Sequence, residues 1–409
     1  MAQNKAFVLF PVKKQSEARV VITGAGVVSA LGIGWRANAE GFRTGRVAFG
    51  PVTLFDVSRQ RAKTAAEVRL PESSSNGEDR ASQLLMLATK EAWTQANWEP
   101  GNDLPLVLGT TSGGMSLGEA FYRQAITTPG KRRGQPTRVL HYQPQRQALE
   151  LANAFGFSGP ITIIANACAS GANAVGHAFE LVRSGQAQRV LTGGYDALSH
   201  LVFAGFDSLQ ALSTTQCRPF DAARDGLGLG EGAAMLCLES LAHAQQRGTT
   251  ILGEIVGYGA ASDPHHLTQP DPEGNAAYQA MSAACENARI RPEQIDYINA
   301  HGTGTSLNDS AEALAITRLL GNPPARVPVS STKPSVGHLL GAAGAIEAVV
   351  SLMALREGWL PPTGTTRELD ALCNFPVVRE TTRAEPQCVL SNSFGFGGAN
   401  AALVLRRYS

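Results

Sequence analysis

The same order of elements runs through this chain twice, and that repetition narrows the architectures open to it. In the first passage Arg19–Gly24 reads as a strand, and Leu104–Gly109 as another that leads into Thr110-Thr-Ser-Gly-Gly114. Ile161–Ile164 reads as a buried strand that passes through Cys168 into a helix over Ala169–Arg183, and Arg189–Gly194 closes the set. In the second passage Gly253–Gly259 opens, and a strand from Ile295 ends in His301-Gly-Thr-Gly-Thr305. Val327–Lys333 then leads into a helix over Gly337–Val350, and Gln387–Ser391 runs into Ser393–Asn400. Strands alternating with helices imply βαβ units and mostly parallel sheets. Two such passages in tandem imply a pseudo-duplicated α/β fold, with halves at 19–252 and 253–409 after an extension over 1–18. The helices after Cys168 and after Lys333 lack a polar face, which places them in the interior. Their alanines and glycines allow close packing, so both helix N-termini are expected near the centre of the molecule.

Composition excludes several classes of function. The chain has 409 residues, 43% hydrophobic and 17% charged, enough for a large core and suggestive of surface hidden in an interface. A formal net charge of +1 gives no basis for nucleic-acid binding through global charge. The six cysteines form no CxxC pair and no zinc spacing, which points to a reducing cytoplasm and to no metal. No apolar run reaches the roughly 20 residues of a membrane span. Ala6–Val12 is too short for a secretory signal core and is followed by Lys13-Lys14. Two segments, Pro129–Pro144 and Asp263–Gly274, read as surface excursions that either cover an entrance or are ordinary solvated loops.

Three reactive side chains fall at corresponding kinds of places. Cys168 lies where a strand hands over to a helix, and a thiol facing unpaired N–H groups at a helix N-terminus is expected to have a lowered pKa. The alternative is a buried structural cysteine. His301 ends a strand, and His338 is expected to begin a buried helix; each is either a satisfied core histidine or a catalytic group. Gly24-Ala-Gly26 lacks the rest of a dinucleotide fingerprint, and no G-x-S-x-G elbow occurs.

Five motifs in order, Asn166-Ala-Cys168-Ala-Ser-Gly171, Arg218-Pro-Phe-Asp221 through Gly230-Glu-Gly232, Asn299-Ala-His301-Gly-Thr-Gly-Thr305, Lys333-Pro-Ser-Val-Gly-His338 and Asn392-Ser-Phe-Gly-Phe396-Gly-Gly398, carry a resemblance. From about Arg19 to Leu405 the chain resembles the elongating β-ketoacyl–acyl carrier protein synthases of the thiolase superfamily. The resemblance implies a thiolase-like fold with two halves in a layered αβαβα arrangement. It implies that Cys168 takes an acyl group from a carrier protein, with the N–H groups of Cys168 and Phe396 as the oxyanion hole. His301 and His338 would stabilise the enolate formed when malonyl-carrier protein loses CO₂. Lys333 resembles the buried lysine near the second histidine, with Glu312 as its partner acid. Thr303 and Thr305 match positions that bind the pantetheine arm, Phe396 an aromatic gate, and Ser112, Phe206, Leu227 and Phe394 the lining of the substrate site. Leu227 stands where phenylalanine is usual, Ala399 replaces threonine, and Ser112 and Asn166 depart from commoner residues, which suggests a longer or more unsaturated acyl chain. No resident cofactor is implied, since phosphopantetheine arrives on the carrier protein. The partners implied are an acyl carrier protein and a second subunit, either an identical copy or a chain-length factor. A mainly structural subunit of such a heterodimer is the alternative to an enzyme. A degradative thiolase would carry a second cysteine near the C-terminus, which Ser393–Asn400 lacks.

Overall fold

Ten strands of an eleven-stranded sheet carry the duplication. They are β1 (Val20–Ser29), β2 (Leu106–Gly109), β3 (Ile161–Ile164), β4 (Arg189–Asp196), β5 (Gly232–Ser240), β6 (Gly253–Ser262), β7 (Tyr297–Asn299), β8 (Val329–Ser330), β9 (Cys388–Phe394) and β10 (Ala399–Arg406). These come from a computed structural model, which describes residues 17–71, 79–101, 103–128, 142–321 and 327–409. Residues 1–16 of the N-terminal extension, and 129–141 of the first surface excursion, lie outside the described residues.

From the centre outward the strands run β1-β5-β4-β2-β3 on one side and β6-β10-β9-β7-β8 on the other. The second order is the first with five added to each label, so the repeat in the sequence is a repeat in topology. The halves join where Val20–Ile22 of β1 pairs antiparallel with Gly253–Ile255 of β6. The expectation of mostly parallel sheets is corrected. In each half the outer pairings, β4–β2–β3 and β9–β7–β8, are parallel. The pairings through β5 and β10 are antiparallel. Neither β5 nor β10 was legible as a strand. Both are apolar runs attached to glycine-rich motifs, with no alternation to mark a period.

Six helices complete the layers: α1 (Arg80–Ala96), α2 (Pro144–Phe155), α3 (Ser170–Arg183), α4 (Asn275–Ala288), α5 (Ser306–Leu320) and α6 (Ala343–Glu357). α1 covers β1 and β5 with α2 beside it, while α4 covers β6 and β10 with α5 beside it. α3 and α6 pack on each other between the two halves of the sheet. α6 is buried from Ala343 to Leu355, the consequence of a helix that is apolar all round.

The contact between α3 and α6 leaves no space for side chains. A Cβ on Gly171 would lie 2.7 Å from the Gly341 carbonyl oxygen and 2.8 Å from the Ala345 nitrogen. One on Gly344 would lie 2.6 Å from the Ala172 nitrogen. The first helix starts at Ser170, one residue from the expected Ala169, whereas the second starts at Ala343 and not at Gly337. Each is preceded by a short 3₁₀ turn, Ala167–Ala169 before α3 and Leu340–Ala342 before α6. Each turn begins at a left-handed residue, Ala167 at φ 56° and Leu340 at φ 53°. His338 therefore does not begin a helix. Gly337, at φ 78°, ends the short helix Lys333–Val336, and His338 lies in the extended link that follows.

Replacing Gly171 by alanine raises helix propensity by about 1 kcal/mol. The steric conflict is expected to outweigh this, with a net loss on the order of 1–3 kcal/mol in urea unfolding. An unchanged midpoint would count against the close approach of α3 and α6.

Candidate active site

The turn before α3 holds Cys168 at the bottom of a cavity of 310 Å³, with 6% of its surface exposed. The backbone N–H of Phe396 donates to the thiol. The expected lowering of its pKa is reversed. Burial pushes the thiol up to about 12, and the Lys333 charge and the Phe396 N–H pull back only part of that rise. A helix end acts on a thiol from one side, whereas desolvation acts from all sides.

His301 follows β7 and lines the same cavity. Glu312 on α5 fixes its backbone: one carboxylate oxygen accepts from the N–H of His301 at 2.8 Å and the other from that of Gly302 at 2.7 Å. The Asn392 amide also donates to Glu312, at 3.1 Å. Lys333 has a different acid partner from the one expected. Its ammonium donates to Glu347 on α6 at 2.5 Å, with both side chains buried, and also to the His301 carbonyl oxygen and to His301 Nδ1, the last at 3.5 Å. Glu312 is spent on the backbone of the turn, so it has no lysine to pair with.

His338 is held at both ends of its peptide. Its N–H donates to the Gly228 carbonyl at 2.7 Å, and its carbonyl accepts from Gly230 at 3.1 Å. Its Nδ1 accepts from the Leu340 N–H at 3.1 Å. An N–H and an ammonium can only donate, so Nδ1 is the acceptor in both rings. Each neutral ring then carries its proton on Nε2. Burial, with the Lys333 charge adding to it, holds both imidazoles well below their usual pKa, and His338 adds to the effect on His301. The rings lie edge to face, 5.3 Å apart. At neutral pH the cavity presents two uncharged N–H donors.

Phe394, Phe396, Phe206, Leu227, Thr303 and Thr305 all line this cavity. Phe206 and Phe396 stack at 5.7 Å. The Phe396 loop turns through Gly397 and Gly398, both at positive φ, and is tied to the second surface excursion. Gly397 donates to the Leu267 carbonyl at 2.7 Å, and Asp263 to that of Gly398 at 2.8 Å. Ser112 is placed elsewhere. Its hydroxyl and its N–H each donate to Asp196 at 2.8 Å, and it is not part of the lining. A change at Ser112 acts first on that carboxylate.

Two acids escaped the sequence reading. Glu347 was marked only by being the one acid within the apolar stretch Ala343–Leu355. Asp196 ends β4 and accepts from the Thr110 hydroxyl at 2.8 Å, the Thr111 N–H at 2.9 Å and the Gly341 N–H at 2.6 Å. It thereby joins the turn after β2 to the turn before α6. Among the described residues no cluster of side chains has the make-up of a metal site, and no helix is long and apolar enough to cross a membrane.

A cysteine and two neutral histidines thus line one cavity at the centre of a duplicated, layered α/β fold. The chain belongs to the β-ketoacyl synthase family: residues 17–244 match its N-terminal domain and 252–366 its C-terminal domain. It is 36% identical over 408 residues to 3-oxoacyl-[acyl-carrier-protein] synthase 2 of Staphylococcus aureus (strain COL), covering 95% of this chain and 98% of the relative. Among solved structures it resembles the ishigamide ketosynthase/chain length factor, with TM-score 0.89 and 32% identity over 96% of this chain and 100% of that one. A ketosynthase solved with its type II polyketide acyl-carrier protein and bound to the hexaketide has TM-score 0.87 and 28% identity, over 96% of this chain and 100% of that one.

Two outcomes are expected. Glu347→Leu, which strands the Lys333 charge, should cost about 3–5 kcal/mol, and adding Lys333→Met should recover most of that stability. A double variant no more stable than the single one would show that the pair is not a closed unit. Alkylation of Cys168 by iodoacetamide should rise about tenfold per pH unit from 7 to 9, as expected of a thiol far below its pKa. A plateau in that range, followed by intact mass with Cys168→Ser as control, would show that the helix end and Lys333 prevail over burial.

Proposed function

We propose that the chain extends an acyl group by decarboxylative condensation, with Cys168 as the acyl carrier within the protein. The observation that carries this reading is the pair of neutral histidines, each with Nδ1 occupied and Nε2–H as its free donor, lining one cavity with Cys168. A nucleophile alone would serve a hydrolase. Two uncharged donors beside it suit an enolate, whose negative charge they stabilise without a protonated base nearby to quench it.

In the first half-reaction the Cys168 sulfur attacks the thioester carbonyl of an acyl-carrier protein. The N–H groups of Cys168 and Phe396 stabilise the oxyanion, the pantetheine sulfur leaves, and the thiol proton passes to it. In the second, malonyl-carrier protein enters. Its bond to the carboxylate breaks and CO₂ departs. The electron pair becomes an enolate whose oxygen accepts from His301 and His338. The α-carbon attacks the acyl–Cys168 carbonyl, and the carbon–sulfur bond breaks. The sulfur takes up one proton and β-ketoacyl-carrier protein is released. Dividing the reaction in this way gives ping-pong kinetics.

Thr303 and Thr305, with hydroxyls 2.8 Å apart on the cavity wall, are suited to the amides of a pantetheine arm. No resident metal or cofactor is needed for either half-reaction. The partners we assign are an acyl carrier protein, as the name of the Staphylococcus aureus relative states for that protein, and a second subunit. An identical copy and a chain-length factor, as in the ishigamide assembly, both fit the second role. The six unpaired cysteines suit a reducing cytoplasm.

Incubation with acyl-carrier protein should add one acyl mass to Cys168. His338→Ala should retain that adduct while condensation with malonyl-carrier protein falls at least a hundredfold, the scale of losing one donor to a developing oxyanion. No adduct with any acyl donor would overturn the enzyme reading in favour of a structural subunit. Equal loss of both half-reactions would overturn the division of roles.

A further inference from the structure

Beside the catalytic cavity lies a second one of 220 Å³, lined by apolar Val47, Phe49, Leu212 and Leu229 and by polar Thr64, Ser213, Thr215 and Gln216. Among the described residues Leu227 alone lines both cavities. Its backbone is held between the two histidine-bearing segments. The Gly226 N–H donates to the Gly304 carbonyl at 3.0 Å, in the turn that follows His301, and the His338 N–H donates to the Gly228 carbonyl at 2.7 Å. Leu227 is 3% exposed, with Leu212 and Leu229 in the same apolar cluster.

An extender whose thioester oxygen accepts from both imidazoles must lie between those two segments. Its α-carbon is one bond from that carbonyl, so any group on the α-carbon is directed toward the walls nearest the histidines. Leu227 is one of those walls, and behind it is a space already formed, with Leu212 and Leu229 beside it. By volume alone, about 150 Å³ is enough to take benzene, so 220 Å³ has room for a methyl or ethyl branch. We propose that Leu227 selects an unbranched malonyl extender by closing this side cavity to α-alkyl substituents. The proposal rests on the condensing reading above and adds to it a specificity-determining residue. The reaction it controls is the condensation already described. An α-alkylmalonyl unit would lose CO₂ and form the same carbon–carbon bond, its branch retained on the new α-carbon.

The test is a competition between malonyl- and ethylmalonyl-carrier protein on enzyme already acylated at Cys168, with products separated by mass. One methylene is worth about 10–200-fold in discrimination, so Leu227→Ala should raise the branched-to-unbranched product ratio at least tenfold. Val47→Phe, which fills the side cavity from its outer rim, should leave malonyl turnover by the otherwise unaltered chain unchanged. Combined with Leu227→Ala it should return the ratio to the wild-type value. A ratio that does not move, or a rise that survives Val47→Phe, overturns the proposal. Should Leu227→Ala fail to fold, Leu227→Val with methylmalonyl-carrier protein decides, and an unchanged ratio there has the same force. Failure of the wild-type chain to condense malonyl after confirmed acylation would instead overturn the condensing reading.

Discussion

Everything in this molecule depends on how closely α3 approaches α6. The two helices are counterparts in the two halves, and their N-terminal turns meet because glycine and alanine occupy the contact. With the Gly341 carbonyl and the Ala345 nitrogen within 3 Å of where a side chain on Gly171 would begin, the helix axes have no tolerance for larger residues. That approach places the Cys168 turn of one half against the Gly341 turn of the other. It also brings the segment carrying His338 within reach of the cavity floor. The sheet halves outside the two helices are joined separately, by the pairing of Val20–Ile22 with Gly253–Ile255.

The electrostatics of the site follow from its depth. Cys168, His301, His338, Lys333 and Glu347 are all buried, so each ionisable group is driven toward its neutral form unless it has a partner. Lys333 has one in Glu347, and its charge then reinforces the neutrality of both histidines while opposing the rise in the Cys168 pKa. One buried cation thus favours a thiolate and disfavours an imidazolium, which is the combination a condensation requires. A site nearer the surface would have the same side chains in other protonation states.

How much of this was legible in the sequence depended on the kind of information. Strands β1, β4, β6 and β9 stood out as apolar runs ending in glycine or small polar residues, and the motifs around Cys168, His301 and His338 were visible because reactive side chains interrupt such runs. Strands β5 and β10 were hidden, since buried strands without alternation share their pattern with buried helices. Partner identity was the least accessible. Glu312 and Glu347 are both acids on helices, and only the fold decides that the first holds the turn after β7 while the second faces Lys333. The direction of the Cys168 shift was misjudged for a related reason. A helix end can be read locally, but burial is the sum of everything packed around the thiol. Ser112 likewise fell on the right loop, with its side chain turned to an acid 84 residues away.

The duplicated fold also accounts for there being one nucleophile rather than two. Aligned on their left-handed residues, Ala167 and Leu340, the two turns set Cys168 opposite Gly341. A side chain at 341 would start 2.5 Å from the Thr111 nitrogen and 2.6 Å from the Thr110 carbonyl carbon. That segment cannot retreat, because Asp196 accepts from Thr110, Thr111 and the Gly341 N–H at once. Aligned on the ends of β2 and β7, Thr111 itself is the counterpart of His301. The first half therefore uses this position for the strap, and in the second it carries a neutral imidazole that lines the cavity. Symmetry brings the two turns together, and the Asp196 strap breaks it, leaving Cys168 alone with the histidines of the other half.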